Sequence, residues 1–309
     1  MDKDVYFHKT VTFNAGIQQL QFRTSQALFS SHDIDTGTRF LLRSVTEAGY
    51  QAKNILDVGC GYGPLGLMLK KMYPESSIHM IDRDALAVAY SRQNAEINGL
   101  NGIEIYGSLG YDDVKRDDFD LIVANIPGKA GEAVITYLLQ EARHYLAQGG
   151  IAAIVVVAAL EPLAIKTLAN TPGCQIVLRG KRARHVIFHY RFDAKTTKRD
   201  RSGFERGVYD RDNIKICLEG VEYSMQTAYG LPEFGSLSFG SDMLIAAIKN
   251  IKERDIQSAG FINPRQGHTA VALFKIMNPE TIELVDRDLL ALRYSRFNLV
   301  QNGCPPARI

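Results

Sequence analysis

Apolar positions along the chain fall into short, dense runs separated by polar, glycine-bearing turns. Asn54 to Val58, Ser77 to Asp82, Ile103 to Tyr106, Phe119 to Ala124 and Ile151 to Val157 are near-continuous apolar runs of strand length. Thr38 to Ala48, Pro64 to Met72, Ala85 to Ile97, Glu132 to Leu146 and Leu160 to Ala169 carry helical spacing between and around them. Thr36 suits the cap of the first helix. Asn98-Gly99 suits the end of the third, and Gly149-Gly150 the end of the fourth. Thr10 to Thr24 alternates like a hairpin around Asn14-Ala15-Gly16, and Gln175 to Leu178 and His185 to Phe192 complete the strands. Strands that alternate with helices and are apolar on both faces predict an α/β fold, a doubly wound and mostly parallel sheet. Ligands of such sheets bind at the carboxyl ends of the strands.

The pattern also repeats. Asp82 to Gly99 and Asp286 to Gly303 agree at 11 of 18 positions at an offset of 204. Met72-Tyr73-Pro74-Glu75 pairs with Met277-Asn278-Pro279-Glu280, Gly37 and Leu41 with Gly240 and Leu244, and Val5-Tyr6 with Val208-Tyr209, with drifts of a residue. A period near 200 residues is too long for a solenoid and indicates a duplicated domain. The reading is one domain over residues 1–206 and a partial, degenerate second copy over residues 207–309.

Composition narrows the class. The 309 residues are 46% apolar and 23% charged, which excludes a disordered chain, a collagen and a disulfide mini-protein. The longest apolar run, Ile151 to Leu160, falls well short of the roughly 20 residues a bilayer requires, so no membrane association is expected. Met1-Asp2-Lys3-Asp4 is charged with no apolar stretch behind it, so no signal peptide is expected. Cys60, Cys174, Cys217 and Cys304 lie far apart, which suggests neither a metal site nor a disulfide framework and fits a cytoplasmic protein. Net charge is only +2, yet Arg179 to Lys215 holds 12 Lys/Arg against 5 Asp/Glu. Two readings fit that stretch: a patch for nucleic-acid phosphates, or a solvated linker over Ala194 to Gly203.

The candidate chemistry begins at Asn54 to Gly66, NILDVGCGYGPLG, a buried strand, a glycine loop and a helix start. Gly59, Gly61 and Gly63 let a ligand approach the backbone, and the helix start at Pro64 points its positive end outward. Asp82 ends the next strand, where a carboxylate can accept ribose hydroxyls. Gly61-x-Gly63-x-x-Gly66 matches the dinucleotide fingerprint. Asp57 favours S-adenosyl-L-methionine instead, because an acid there meets an ammonium and repels a pyrophosphate.

With Leu28-Phe29-Ser30, Asp33-Ile34-Asp35-Thr36-Gly37-Thr38 and Asn125-Ile126-Pro127 added, the chain resembles the class I S-adenosylmethionine-dependent methyltransferases of the small-domain group. It is most similar to the small-subunit ribosomal RNA guanine-N2 methyltransferases. That resemblance implies a seven-stranded, Rossmann-like methyltransferase sheet and S-adenosyl-L-methionine as cofactor. It implies RNA as partner, ribosomal RNA or a ribosomal subunit. It implies that Asp57, Gly59 and Gly61 hold the methionine end, with Gly63 also in the cofactor-binding loop, that Asp82 holds the ribose, that Arg83 and Ser108 lie by the adenine, and that Asn125 faces both cofactor and substrate. The family also carries a duplicated, inactive domain, which comes first in its best-studied members and second here.

Asn125 ends the strand Asp120 to Asn125. Its side-chain carbonyl and the Ile126 backbone carbonyl suit the two hydrogens of an exocyclic amine, aiming the lone pair at an electrophilic methyl. Asn125, Ile126 and Pro127 are therefore the candidate catalytic residues. The family pattern, Asn-Pro-Pro and then a bulky residue, is here Asn125-Ile126-Pro127-Gly128, which leaves the target base open. In the second copy, Pro264-Arg265-Gln266-Gly267-His268 stands for the glycine loop and Ile262 for Asp57, so that copy is expected to be silent, with His268 a loop residue. Alternatives are a small-molecule or protein methyltransferase, a dinucleotide oxidoreductase and a silent RNA-binding module.

Overall fold

The computed structural model describes residues 4–218, 220–251 and 255–309; residues 1–3, part of the charged start, lie outside the described residues. The chain divides into two compact units that meet between Val208 and Tyr209.

The first unit opens with a hairpin, β1 (Phe7–Ala15) and β2 (Gln18–Ser25), and a helix, α1 (Thr36–Ala48). Then follow β3 (Asn54–Val58), α2 (Pro64–Met72), β4 (Ser77–Asp82), α3 (Ala85–Ile97), β5 (Ile103–Gly107), β6 (Phe119–Asn125), α4 (Glu132–Glu141), β7 (Leu146–Val157), α5 (Glu161–Ala169), β8 (Cys174–Arg182) and β9 (His185–Phe192). The last seven strands form one sheet in the order β5-β4-β3-β6-β7-β9-β8. β9 runs antiparallel to both its neighbours and the other pairs are parallel. This is the expected Rossmann-like, mostly parallel seven-stranded sheet. Its order reverses between β3 and β6, so a crevice opens at their carboxyl ends.

The runs become strands because both faces are covered. Ile55, Leu56, Leu121, Val123, Ala153 and Val155 are fully buried. The Asp120 carboxylate accepts from the Lys53 and Asn54 amides at 2.8 and 2.9 Å and so starts β3 beside β6.

Two local expectations are corrected. The cap of α1 is Asp35, which accepts from the Thr38 amide, and Thr36 is the first helical residue. The fourth helix stops at Glu141, and Gly149-Gly150 lies inside β7 rather than after a helix. A Cβ on Gly150 would sit 2.7 Å from the Phe119 carbonyl, so this glycine permits strand pairing with β6.

The second unit holds a hairpin, β10 (Asp210–Leu218) and β11 (Val221–Ala228), then α6 (Phe239–Asn250), β12 (Ser258–Ile262), α7 (His268–Met277), β13 (Thr281–Val285) and α8 (Leu289–Gln301). β12 and β13 pair in parallel over their own apolar cluster, which includes Met225, Ile245, Val271 and Leu299.

Much of the sequence identity between the units is polar carpentry. Asn94 of α3 accepts from the Arg23 amide and donates to the Arg23 and Tyr62 carbonyls, joining helix, hairpin and glycine loop. Asn298 of α8 makes the same three bonds to Gln226 and Gln266. Ser91 and Ser295 donate to the carbonyls of Gly61 and Arg265.

The basic stretch is tied down where it crosses the first unit. Lys198 donates to the Val114 and Lys115 carbonyls, and Arg206 to Glu141 at 2.8 Å. The amides of Gly203 and Phe204 donate to Asp112. Ala194 to Gly203 is therefore bound along its length, unlike a solvated linker. No helix of the described residues is long and apolar enough to cross a membrane.

Candidate functional site

The crevice is bounded on one side by the loop between β3 and α2. Gly59, Gly61 and Gly63 have φ of 73°, 57° and 96°, the region that suits glycine. A Cβ on Gly59 or Gly61 would meet no atom within 4 Å, so the backbone faces open space there. That is a cradle in which side chains would fill a ligand's place. Gly66 differs: its Cβ would press on Met80 and on the Asp57 carboxylate, so it serves the packing of α2.

Asp57 lies beneath this loop, 1% exposed, and accepts from the Gly66 amide at 2.8 Å. Burial pushes its carboxyl up to about 7, and the nearby Asp82 charge adds to this. An acid in that state gains from a cation brought beside it. Asp82, at the end of β4, accepts from the Gly61 and Asp84 amides at 2.9 Å each, and burial raises its pKa too. Ser108 follows β5, and its amide donates to the Asp82 carbonyl. Its hydroxyl donates to the Gly110 carbonyl, so that hydrogen is not available to an adenine. Arg83 is partly exposed beside Asp82.

Across the crevice, Asn125 ends β6 half-buried. Its Nδ2 donates to the Asp35 carboxylate at 2.9 Å and to the Thr38 hydroxyl at 3.1 Å. A carboxylate only accepts, so this pairing fixes which end of the amide is nitrogen. The carbonyl is left as the end directed away from α1. Ile126 turns its side chain into the core and donates its amide to the Val155 carbonyl, while Pro127, Gly128 and Lys129 are exposed.

Asp35 and Thr38 were not assigned roles from sequence, although Asp-x-Gly-Thr ahead of an apolar helix is a readable capping signal. Phe29 was likewise quoted without a role. It is 74% exposed on the segment leading to α1, and the next residue, Ser30, accepts from the Tyr62 hydroxyl of the glycine loop. That segment therefore spans from the glycine loop at Ser30 to Asn125 at Asp35.

The residues from Gln19 to Gln175 match the family model of the methyltransferase small domain, which covers half of the chain. The chain belongs to that family. Members carry S-adenosyl-L-methionine as methyl donor, and the open glycine cradle with acids below and beside it fits that molecule. The chain is 33% identical over 181 residues to the uncharacterized protein YbxB of Bacillus subtilis, matching 58% of this chain and 90% of that one. It is 33% identical to the ribosomal RNA large subunit methyltransferase G of Shewanella pealeana, over 48% of this chain and 38% of the relative. It is 35% identical to the ribosomal RNA small subunit methyltransferase C of Haemophilus influenzae, over 43% and 41%. The chain thus spans under half the length of these two ribosomal RNA methyltransferases. The fold is also that of the Thermus thermophilus 16S rRNA N2 G1207 methyltransferase, with a TM-score of 0.67, 16% identity and coverage of 96% of this chain and 74% of that one.

The second unit contains the same loop without the cradle. Asn263, Arg265 and Gly267 have φ of 54°, 58° and 92°, so they stand where Gly59, Gly61 and Gly63 stand in the first. The offset is 204, which makes Phe261 the counterpart of Asp57 and corrects the assignment of Ile262. Arg265 donates to Glu233 at 2.8 Å and to the Ser238 hydroxyl at 3.1 Å. His268 is no loop residue: it begins α7, 1% exposed, with ring nitrogens near the Tyr223 hydroxyl and the Glu233 carbonyl.

Proposed function

We propose that this chain methylates an exocyclic amino group of a base in RNA, with ribosomal RNA as substrate and the cytoplasm as its place of action. The observation that carries this reading is the orientation of Asn125, whose nitrogen is held by Asp35 and Thr38 and whose carbonyl is left to accept. An amide carbonyl opposite a glycine cradle suits a substrate that brings N–H hydrogens. The kinship with two ribosomal RNA methyltransferases supports the RNA class.

S-adenosyl-L-methionine supplies a methyl group on a sulfonium, which is already electrophilic. The chain's own task is then alignment and charge. Asp57 would balance the ammonium of the methionine end, Gly59 and Gly61 would admit its backbone, and Asp82 would accept from the ribose hydroxyls. The Asn125 carbonyl would accept one amine hydrogen and the Ile126 carbonyl the other, which would turn the nitrogen lone pair toward the methyl group. As the N–C bond formed, the methyl–sulfur bond would break and S-adenosylhomocysteine would leave as a neutral thioether; the positive charge passed to the amine would be held by both carbonyl dipoles and then shed as a proton to water. The pattern lacks a bulky residue after Pro127, and Phe29 supplies the missing aromatic face on the other border of the crevice. The second unit, residues 207–309 in the sequence reading, serves as a degenerate copy that positions substrate or supports the fold.

The test offers labelled cofactor and the purified protein to ribosomal RNA from cells that lack it. Label recovered in one methylated amino base is the expected result. A protein that binds S-adenosyl-L-methionine yet labels no RNA would overturn the reading.

A further inference from the structure

Beside the crevice lies a second hollow of about 830 Å³, bordered by the β1–β2 tip, the outer face of α1 and the β8–β9 turn. Its walls mix arginines with apolar surface: Arg39, Arg43, Arg182 and Arg184, with the half-buried Phe40, while Phe13 lies beneath the Arg39 guanidinium and is 1% exposed. Ile17 at the hairpin tip, 98% exposed, stands at its rim.

The four arginines are not equivalent. Arg39 pairs with Asp33 and Arg43 with Glu47. Neighbouring Arg179 and Lys181 share Glu161. Arg182 and Arg184 are exposed, and among the described residues neither has an ion-pair partner. They flank Ala183, whose φ of 50° makes the tight turn that presents both side chains. Two free cations two residues apart, facing the half-buried Phe40 and the Arg39 guanidinium plane across the hollow, suit a chain of phosphates with bases attached.

The hollow adjoins the site. The Ala158 amide donates to the Arg184 carbonyl at 2.7 Å. Val157, the residue before it, lies 3.4 Å from where a Cβ on Gly128 would sit. On the α1 side, a Cβ on Gly37 would touch both the Asp35 carboxylate and the His185 ring. The β8–β9 turn therefore stands next to the mouth formed by Asn125 to Gly128.

We propose that this hollow seats the single-stranded RNA flanking the target nucleotide, with Arg182 and Arg184 on its phosphates. The inference rests on the RNA reading above and names the surface that reading lacks. It also moves the phosphate contacts away from Lys198 and Arg206, which are spent on the protein itself.

The test is binding of a single-stranded ribosomal RNA fragment across a salt series, read by fluorescence anisotropy, for the full chain and for Arg182→Ser/Arg184→Ser. Losing two phosphate contacts should flatten the log–log salt slope by about 1.4, at roughly 0.7 per single-strand phosphate. Affinity near 0.1 M salt should fall about tenfold or more. The Arg182→Lys/Arg184→Lys variant should keep most of the slope, and S-adenosyl-L-methionine affinity should be the same in all three. If the parent binds RNA and the serine variant keeps the parental slope, the hollow is not the seat. If polyglutamate of equal charge binds the parent as tightly as the RNA, the occupant is an acidic protein segment and the proposal fails. If the parent binds no RNA at any salt, the RNA reading itself falls.

Discussion

The Asp35 carboxylate joins two elements that are distant in sequence: one oxygen both caps α1 at the Thr38 amide and receives the Asn125 side-chain nitrogen, at 3.1 and 2.9 Å. The start of a helix and the orientation of the candidate catalytic amide thus depend on one group. Asp35→Ala is expected to lose about 1 kcal/mol of stability from the cap. It should also lower kcat for methyl transfer about tenfold while cofactor affinity holds. Asp35→Asn, which still accepts, should restore most of both. A kcat that follows only the stability loss, with no rescue by asparagine, would refute the positioning role.

Asn125→Ala should act on turnover. Its carbonyl meets the amine chiefly as charge develops, so its loss raises the transition state more than the bound state. Methyl transfer should fall by roughly 10²-fold or more, with cofactor affinity within a few-fold. Calorimetry and single-turnover labelling separate the two.

Asp57 gives a pH dependence. Its carboxyl is raised to about 7 in the free protein, above its ordinary value, because it is buried. The folded state holds the proton more tightly, so this group's contribution to stability is full below the ordinary carboxylate value of 3.8 and is lost progressively as pH rises from there to about 7. Cofactor binding runs the other way, since an ammonium prefers the carboxylate. Affinity for S-adenosyl-L-methionine should rise from about pH 5 to about pH 7 in the parent and stay flat over that range in Asp57→Asn. Parallel profiles would place the ammonium elsewhere.

Asp82→Ala should weaken cofactor binding by roughly 1.5–3 kcal/mol through lost charge-assisted bonds. Asp286→Ala should leave it unchanged, because Arg265 lies where the second unit would need open backbone. Equal losses in the two variants would mean that the second unit binds cofactor.

Arg206→Ser should report on the fold. Glu141 is almost wholly buried and takes the Arg206 guanidinium at 2.8 Å, so the substitution leaves a buried carboxylate with only the more distant Arg199 at 3.6 Å. A loss of about 2 kcal/mol, seen as a lower Tm, is expected, with an unchanged salt slope for RNA. A flattened slope at full stability would return this arginine to the RNA surface.

The sheet and its crevice were readable from sequence because buried parallel strands leave dense apolar runs, as at Ile55 and Val123. Asp57, Asp82 and Asn125 were readable because strand ends are where polar residues interrupt such runs. The Asp35–Asn125 bond was not, since 90 residues separate its ends and no local pattern encodes a contact across a sheet edge. Gly150 misled the reading: a glycine demanded by close strand approach looks the same, in sequence, as one that stops a helix. The repeat was strongest around Tyr90, Ser91 and Asn94, of which Ser91 and Asn94 hold the glycine loop in shape and Tyr90 donates to Asp4. Identity there marked architecture and said nothing of whether the loop still bound a ligand.

The left-handed backbone of this loop persists in the second unit even where asparagine and arginine replace glycine. Asn263 and Arg265 hold left-handed backbone at a cost that glycine would avoid, and the Arg265 guanidinium is engaged by Glu233. The loop's shape is set by the crossover from strand to helix and by the asparagine that braces it. The same brace, Asn94, acts on the first unit's loop, which is therefore preorganised before S-adenosyl-L-methionine arrives. Binding should then need no slow backbone rearrangement, and the bimolecular association rate should rise linearly with cofactor concentration without reaching a plateau.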